Sequence, residues 1–190
     1  FLRDFFIAEL TSRFAASIIE WKRCVHPSEW RERAWRTINN IRISVKKMTE
    51  KERLKLQIAA CKIRMGVIES THGAKAGHPG GSLSSADVFA YLYEKELNVD
   101  PACPKKETRD RFVLSKGHCA PGLYAALAER GFFPVEDLPT LRHADSYLQG
   151  HPNMNTVPGI DMSTGSLGQG VSDAVGMALG AKKRGMEEDR

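Results

Sequence analysis

The chain has 190 residues and a formal net charge of +5, with 28 Lys and Arg against 23 Asp and Glu. Its length suits one domain with a core of its own, and the charge hints at an anionic partner. No stretch approaches ~18 consecutive apolar residues, which excludes a membrane-spanning helix, and four dispersed cysteines (Cys24, Cys61, Cys103, Cys119) without a CxxC exclude a disulfide framework or a zinc ribbon.

Reduced thiols and a cytoplasmic setting follow, with no membrane partner. The charge is unevenly spread. Residues 1–47 hold 10 Lys and Arg against 5 Asp and Glu, whereas residues 48–190 hold 18 of each. Trp21, Trp30 and Trp35 all precede Met48, and all 16 glycines follow it. Residues 1–47 therefore read as an upstream extension of doubtful relevance. Their five acids argue against an Arg-rich targeting peptide. Their basic residues form no recognisable nucleic-acid module, so no nucleic-acid partner is expected.

Met48-Thr49-Glu50 reads as a start, with Thr49 capping a helix. From Lys51 to about His72 the apolar pattern is helical. Leu54, Ile58, Cys61, Met65 and Ile68 share one face, and Leu56, Ile63 and Val67 form a second strip. Two apolar sides call for cover on both. Gly73 to Gly81, with four glycines and a proline, reads as a loop. A second helix runs from Ser82 or Ser84 to about Leu97, with Val88, Phe89, Leu92 and Tyr93 inward. Arg111-Phe112-Val113-Leu114-Ser115 has the composition of a short buried strand.

A third helix is expected over Ala120–Arg130, ended by Gly131, and a short one near Val135–Arg142. His143 to Gly165 is long and irregular, which marks a functional segment. The last helix runs from about Ser166 to Lys183, with an apolar strip (Leu167, Val171, Val175, Leu179) beside a small-residue strip (Gly168, Ser172, Gly176, Gly180). Glycine costs a helix ~1 kcal/mol against alanine, so four small residues in a stripe predict the close approach of another helix. The charged run from Glu187 to Arg190 reads as a surface loop.

Three histidines sit in Gly/Pro-rich contexts: Gly77-His78-Pro79-Gly80-Gly81, Ser115-Lys116-Gly117-His118 and Gly150-His151-Pro152. Each directly follows a glycine, which lets the backbone turn and a ligand come close. One such histidine means little; three in the same setting point to a site. A fourth element, Ser163-Thr164-Gly165-Ser166-Leu167-Gly168-Gln169-Gly170, is a glycine-bearing turn that opens a helix. Free N–H groups there favour a phosphate or diphosphate. Alone it is also a plain capping turn. His118-Cys119 does not have zinc spacing, and Cys119 at a helix start is only a weak candidate nucleophile.

The stretches HGAKAGHPGGSLSSADVFAYLY, RDRFVLSKGHCAPGLYAALAERGFF and LQGHPNMNTVPGIDMSTGSLGQGVSDAVGMALGAK occur in that order. Together they resemble the amino-terminal part of a transketolase and, more narrowly, the N-terminal subunit of transketolases split into two polypeptides. The resemblance runs from about Met48 to Arg190.

The resemblance implies an α/β fold, a doubly wound parallel sheet, of which this fragment is mostly helical with few strands. It implies thiamine diphosphate and Mg²⁺ as cofactors. It implies transfer of a two-carbon ketol unit from a ketose phosphate to an aldose phosphate, as in the pentose phosphate pathway. The partners it implies are sugar phosphates and a C-terminal subunit or domain that supplies the aminopyrimidine site, in a dimer or heterotetramer. His78 matches a histidine beside the donor that moves protons. His118 matches one close to the diphosphate and the substrate, and His151 one that hydrogen-bonds the donor. Gly165 and Leu167 match the turn against the cofactor's central portion. Imidazole suits such roles because its pKa, ~6.5 unperturbed, allows proton transfer near neutrality.

Two departures stand out. Full-length members commonly read Gly-Pro-Leu-Gly where this chain has Gly165-Ser166-Leu167-Gly168. The family's metal motif, Gly-Asp-Gly with a later Asn, is expected beyond Arg190. Residues 48–190 thus read as the front part of the domain, truncated before that motif and without a metal ligand, and inactive alone. The alternatives are a non-catalytic remnant or assembly fragment, and a dihydroxyacetone or deoxyxylulose phosphate synthase.

Overall fold

The computed structural model describes residues 48–185. The readings of residues 1–47 and of the charged run from Glu187 lie outside the described residues. The chain forms α1 (Glu50–Ala74), α2 (Pro79–Leu83), α3 (Ala86–Tyr91), α4 (Ala120–Arg130) and α5 (Gly170–Lys183). A wider π-type turn (Leu92–Glu96) extends α3, and tight 3₁₀ turns occupy Gly117–Cys119 and Val135–Thr140.

The start of α1 is set locally. The Thr49 hydroxyl accepts from the Glu52 N–H, and Glu52 accepts from the Thr49 N–H at 2.8 Å, a reciprocal cap. Lys95 also donates to Glu52, and that contact together with the two from Thr49 holds the Glu52 carboxyl down at about 2. The helix runs two residues past the expected end, through Gly73. Glycine is weak in helices, but a Cβ here would collide with the Pro139 carbonyl oxygen, so packing outweighs propensity. The GHPGG stretch, expected to be a loop throughout, resumes helix at Pro79. Proline at the first helical position has its φ preset and needs no N–H partner.

The buried face of α1 is Ala60, Ile63, Gly66, Val67 and Ser70. This face contains Ile63 and Val67 of the second apolar strip. The first strip is exposed: Leu54, Ile58, Cys61, Met65 and Ile68 face outward, with Met65 at 61%. Among the described residues, cover exists on one side only. The buried side packs on α3, α4 and the Val135–Thr140 turn. Small residues let the helices close: a Cβ on Gly66 would lie 2.9 Å from both Ala125 Cβ and Leu138 Cδ1. Phe89 and Tyr93 point inward as expected, while Val88 and Leu92 are half-buried.

The α4 helix matches its expected bounds, and Gly131 ends it with φ +93°. Almost all of α4 is buried. The expected strand at Arg111–Ser115 is absent, and there is no β-strand among the described residues. A strand needs a partner ladder, and the Phe112 N–H instead donates to the Asp161 carboxylate at 2.9 Å. The doubly wound sheet is therefore not seen in residues 48–185.

The last helix begins at Gly170 rather than Ser166, because residues 166–169 form turns. Leu167, Val171, Val175 and Leu179 are all more than half exposed. A Cβ added at Gly168, Gly176 or Gly180 would meet nothing within 4 Å. The close helix neighbour expected from the small-residue stripe is not among the described residues. No helix among them is long and apolar enough to cross a membrane.

Candidate functional site

His78 sits at the N-cap of α2, and His118 lies within the Gly117–Cys119 turn that leads into α4. Their rings meet edge to face, with centroids 5.0 Å apart and planes at 82°. Three contacts hold these two segments together. Lys116 Nζ donates to the Gly81 carbonyl at 2.8 Å and to the Ser85 hydroxyl. The Ser82 hydroxyl donates to the Cys119 carbonyl at 3.3 Å. Cys119 Sγ lies against Gly81, where a Cβ would come within 2.6 Å of it. Burial pushes the Cys119 thiol up, which opposes the nucleophile reading and fits a packing role.

Gly117 brings the second junction. Its Cα faces the backbone of Thr164, and a Cβ would lie 2.8 Å from the Thr164 carbonyl carbon and oxygen. Only a residue without a side chain permits that approach. The Gly168 N–H donates to Ser115 O at 3.1 Å, and the Thr164 N–H to Pro152 O at 3.3 Å. Gly165 then stands beside His151, where an added Cβ would lie 3.8 Å from its ring. His151 is exposed and lines a polar cavity of about 430 Å³ with Gln149, Asn153, Asn155 and Ser163. The His151 loop is tied to α4 by Tyr124, whose hydroxyl is shared between the carbonyl oxygens of Gln149 and His151, each at 2.9 Å. Burial raises the Tyr124 pKa and so keeps that donor protonated.

Thus His78 and His118 touch, Gly117 meets Thr164, and Gly165 meets His151. Leu167, a candidate from the sequence, is 70% exposed. Lys116, Tyr124 and the hydroxyls of Ser115 and Thr164 are not among the site residues expected from the sequence. Lys116 lies within the Ser-Lys-Gly-His stretch, but its role, like that of the others, depends on contacts far along the chain.

The junction has the chemistry of an anion site. Ser115 Oγ and Thr164 Oγ1 are buried without a hydrogen-bond partner. Buried hydroxyls are normally paired, so two orphans at one junction leave hydrogen-bonding capacity that an acceptor would satisfy. Gly170 opens the 14-residue helix α5 directly against Ser115, so the positive end of that helix dipole lies at the same place, although the Val171 and Ser172 N–H groups are already bonded to Gly168 O and Gln169 O. The hydrogen-bonding residues therefore fit a diphosphate group. Among the described residues no cluster of three or more His, Cys, Asp and Glu could hold a metal ion.

Comparison with known proteins gives the family. Residues 56–189 match the thiamine diphosphate binding domain of transketolase. The chain is 50% identical, over 128 residues, to the 6-deoxy-6-sulfo-D-fructose transketolase subunit SqwG of Clostridium sp., covering 67% of this chain and 46% of that protein. It is 46% identical to one subunit of the apulose-4-phosphate transketolase of Phocaeicola vulgatus, covering 67% of this chain and 45% of that protein. The chain therefore spans about half the length of these curated relatives. Among solved structures it resembles the transketolase of Campylobacter jejuni, with a TM-score of 0.65 and 37% identity, over 72% of this chain and 21% of that one. The chain belongs to the transketolase family, through the thiamine diphosphate binding domain.

Proposed function

We propose that this chain supplies the diphosphate-facing part of a thiamine diphosphate-dependent transketolase site. The reaction moves a two-carbon ketol unit from a ketose phosphate to an aldose phosphate. The observation that carries this reading is the meeting of three histidine loops and the Thr164–Gly165 turn at one junction.

Ser115, Thr164 and the start of α5 hold the diphosphate end. His118 and Gly165 border the cofactor, and Leu167 is open to pack against its central portion. When bound, thiamine diphosphate supplies the carbon that takes up and releases the ketol unit. His78 and His118, side by side, exchange a proton with a donor hydroxyl that reaches the edge of the pair, and His151 hydrogen-bonds the donor from the polar cavity. In this reading Mg²⁺ takes its protein ligands from outside the described residues, among which no cluster of three or more His, Cys, Asp and Glu could hold a metal ion.

A C-terminal transketolase subunit or domain completes the site from the aminopyrimidine side, in a dimer or heterotetramer. The doubly wound parallel sheet belongs to the complete domain. The setting is the cytoplasm, where Cys61, Cys103 and Cys119 stay reduced.

The shared site is tested by calorimetric titration of the 190-residue chain with thiamine diphosphate and Mg²⁺. The expected dissociation constant is weaker than micromolar, since the chain's described residues offer hydroxyls and amides but no metal cluster. Micromolar binding by this chain on its own would overturn the sharing of the site with a partner, and no binding even at millimolar cofactor would overturn the diphosphate role of this chain.

A further inference from the structure

Asp161 is nine-tenths buried or more, with its side chain at 1% exposure, yet it touches none of the three histidines directly. It receives an ion pair from Arg109, itself at 4%, and a second from Arg111 at 3.0 Å. Its other oxygen accepts the Phe112 N–H at 2.9 Å. One carboxylate thus fastens the Arg109–Phe112 stretch to the Ile160–Met162 stretch. Burying these charges is costly, and so many contacts on one carboxylate require an account.

The sequence spacing supplies it. Phe112 lies three residues before Ser115, and Asp161 lies three residues before Thr164. Both segments then run from the clasp into the junction, where Gly117 faces Thr164 and Gly168 N–H reaches Ser115 O. Neither stretch is held by a strand ladder, because neither is a strand. The register between the His118 loop and the Thr164–Gly165 turn has to come from elsewhere, and the clasp stands at the point where both enter the site.

We infer that Asp161 is a positioning residue: with Arg109, Arg111 and the Phe112 N–H it sets the register of the two segments that form the diphosphate junction. This rests on the proposed diphosphate site, but its effect is readable in the chain without cofactor. The two can therefore fail separately.

The experiment is amide hydrogen exchange on the full chain, comparing the Gly168 and Thr164 N–H groups with the Phe132 N–H, which donates to Leu127 O at 3.0 Å away from the junction. In Asp161→Ala, exchange at Gly168 and Thr164 is expected to speed by ~10-fold or more, ahead of any change at Phe132. The double variant Arg109→Met/Asp161→Leu removes the charges together and fills their space, which restores a stable core without the Phe112 contact. In it the thermal midpoint recovers, while exchange at Gly168 and Thr164 stays fast. Should Asp161→Ala not fold, the double variant alone gives the answer. Wild-type exchange at Gly168 and Thr164 in either folded variant would overturn the inference and leave the clasp a stability element only.

Discussion

Alanine in place of His118 is expected to lower kcat/KM for ketol transfer by ~10²–10⁴-fold, in a complete N-terminal subunit of a split transketolase rebuilt with residues 56–189 of this chain. His78→Ala is expected to do the same, because the two rings stand 5.0 Å apart and in the proposed mechanism serve one proton transfer. Groups that act as a unit are not additive, so the double variant should lose little more than either single one. His143→Ala is the control. That histidine is exposed and lies 3.4 Å from the Gly73 carbonyl, in none of the three loops. Steady-state kinetics with a ketose phosphate donor and an aldose phosphate acceptor separates the cases. An undiminished kcat in the His118 variant would remove it from the catalytic machinery.

Gly117→Val is expected to cost ~1–3 kcal/mol of stability and to part the two halves of the junction. The atoms in the way are backbone. A Cβ would sit 2.8 Å from the Thr164 carbonyl carbon and oxygen and 2.9 Å from its hydroxyl. Flexible side chains can swing aside, but here one of the two turns has to move. Gly165→Ala is the matched comparison, since its Cβ would find its nearest neighbour at 3.8 Å, an ordinary contact. Thermal unfolding should show a clear drop for Gly117→Val and almost none for Gly165→Ala. Equal midpoints would mean that the Gly117–Thr164 approach does not constrain the fold.

The elements that the sequence disclosed are those whose cause is local. The α4 helix and its Gly131 end depend on periodicity and on one residue at φ +93°, all within about a dozen positions. The start of α1 depends on Thr49 and Glu52, three residues apart. The buried face of α1 was less legible. Two apolar strips are written on that helix, and the choice between them is made by what packs there. Gly66 lets α4 and the Val135–Thr140 turn come close on one side, and small residues are quiet in a hydrophobic pattern. The Arg111–Ser115 stretch shows the same limit. Its composition fits a strand, but strand formation depends on neighbours, and here a carboxylate takes the place of the ladder.

The site divides along the same line. His78, His118 and His151 were visible because each carries its glycine beside it. The residues that bring them together were not. Tyr124 reaches a carbonyl 27 residues away, Lys116 a carbonyl 35 away, and Asp161 an amide 49 away. Nothing in the local pattern of a tyrosine in a helix or an aspartate in a loop announces such a partner. Ser115 and Thr164 show their significance only as buried hydroxyls with no hydrogen-bond partner.

The rebuilt N-terminal subunit carrying residues 56–189, joined with its own C-terminal subunit, gives the most direct test of the central claim. The measurement is ketol transfer from a ketose phosphate to an aldose phosphate, with and without thiamine diphosphate. Cofactor-dependent transfer is expected, because in the proposed site this stretch brings its histidine loops to the junction that takes the diphosphate. A hybrid that folds and binds its partner but transfers nothing would contradict that claim.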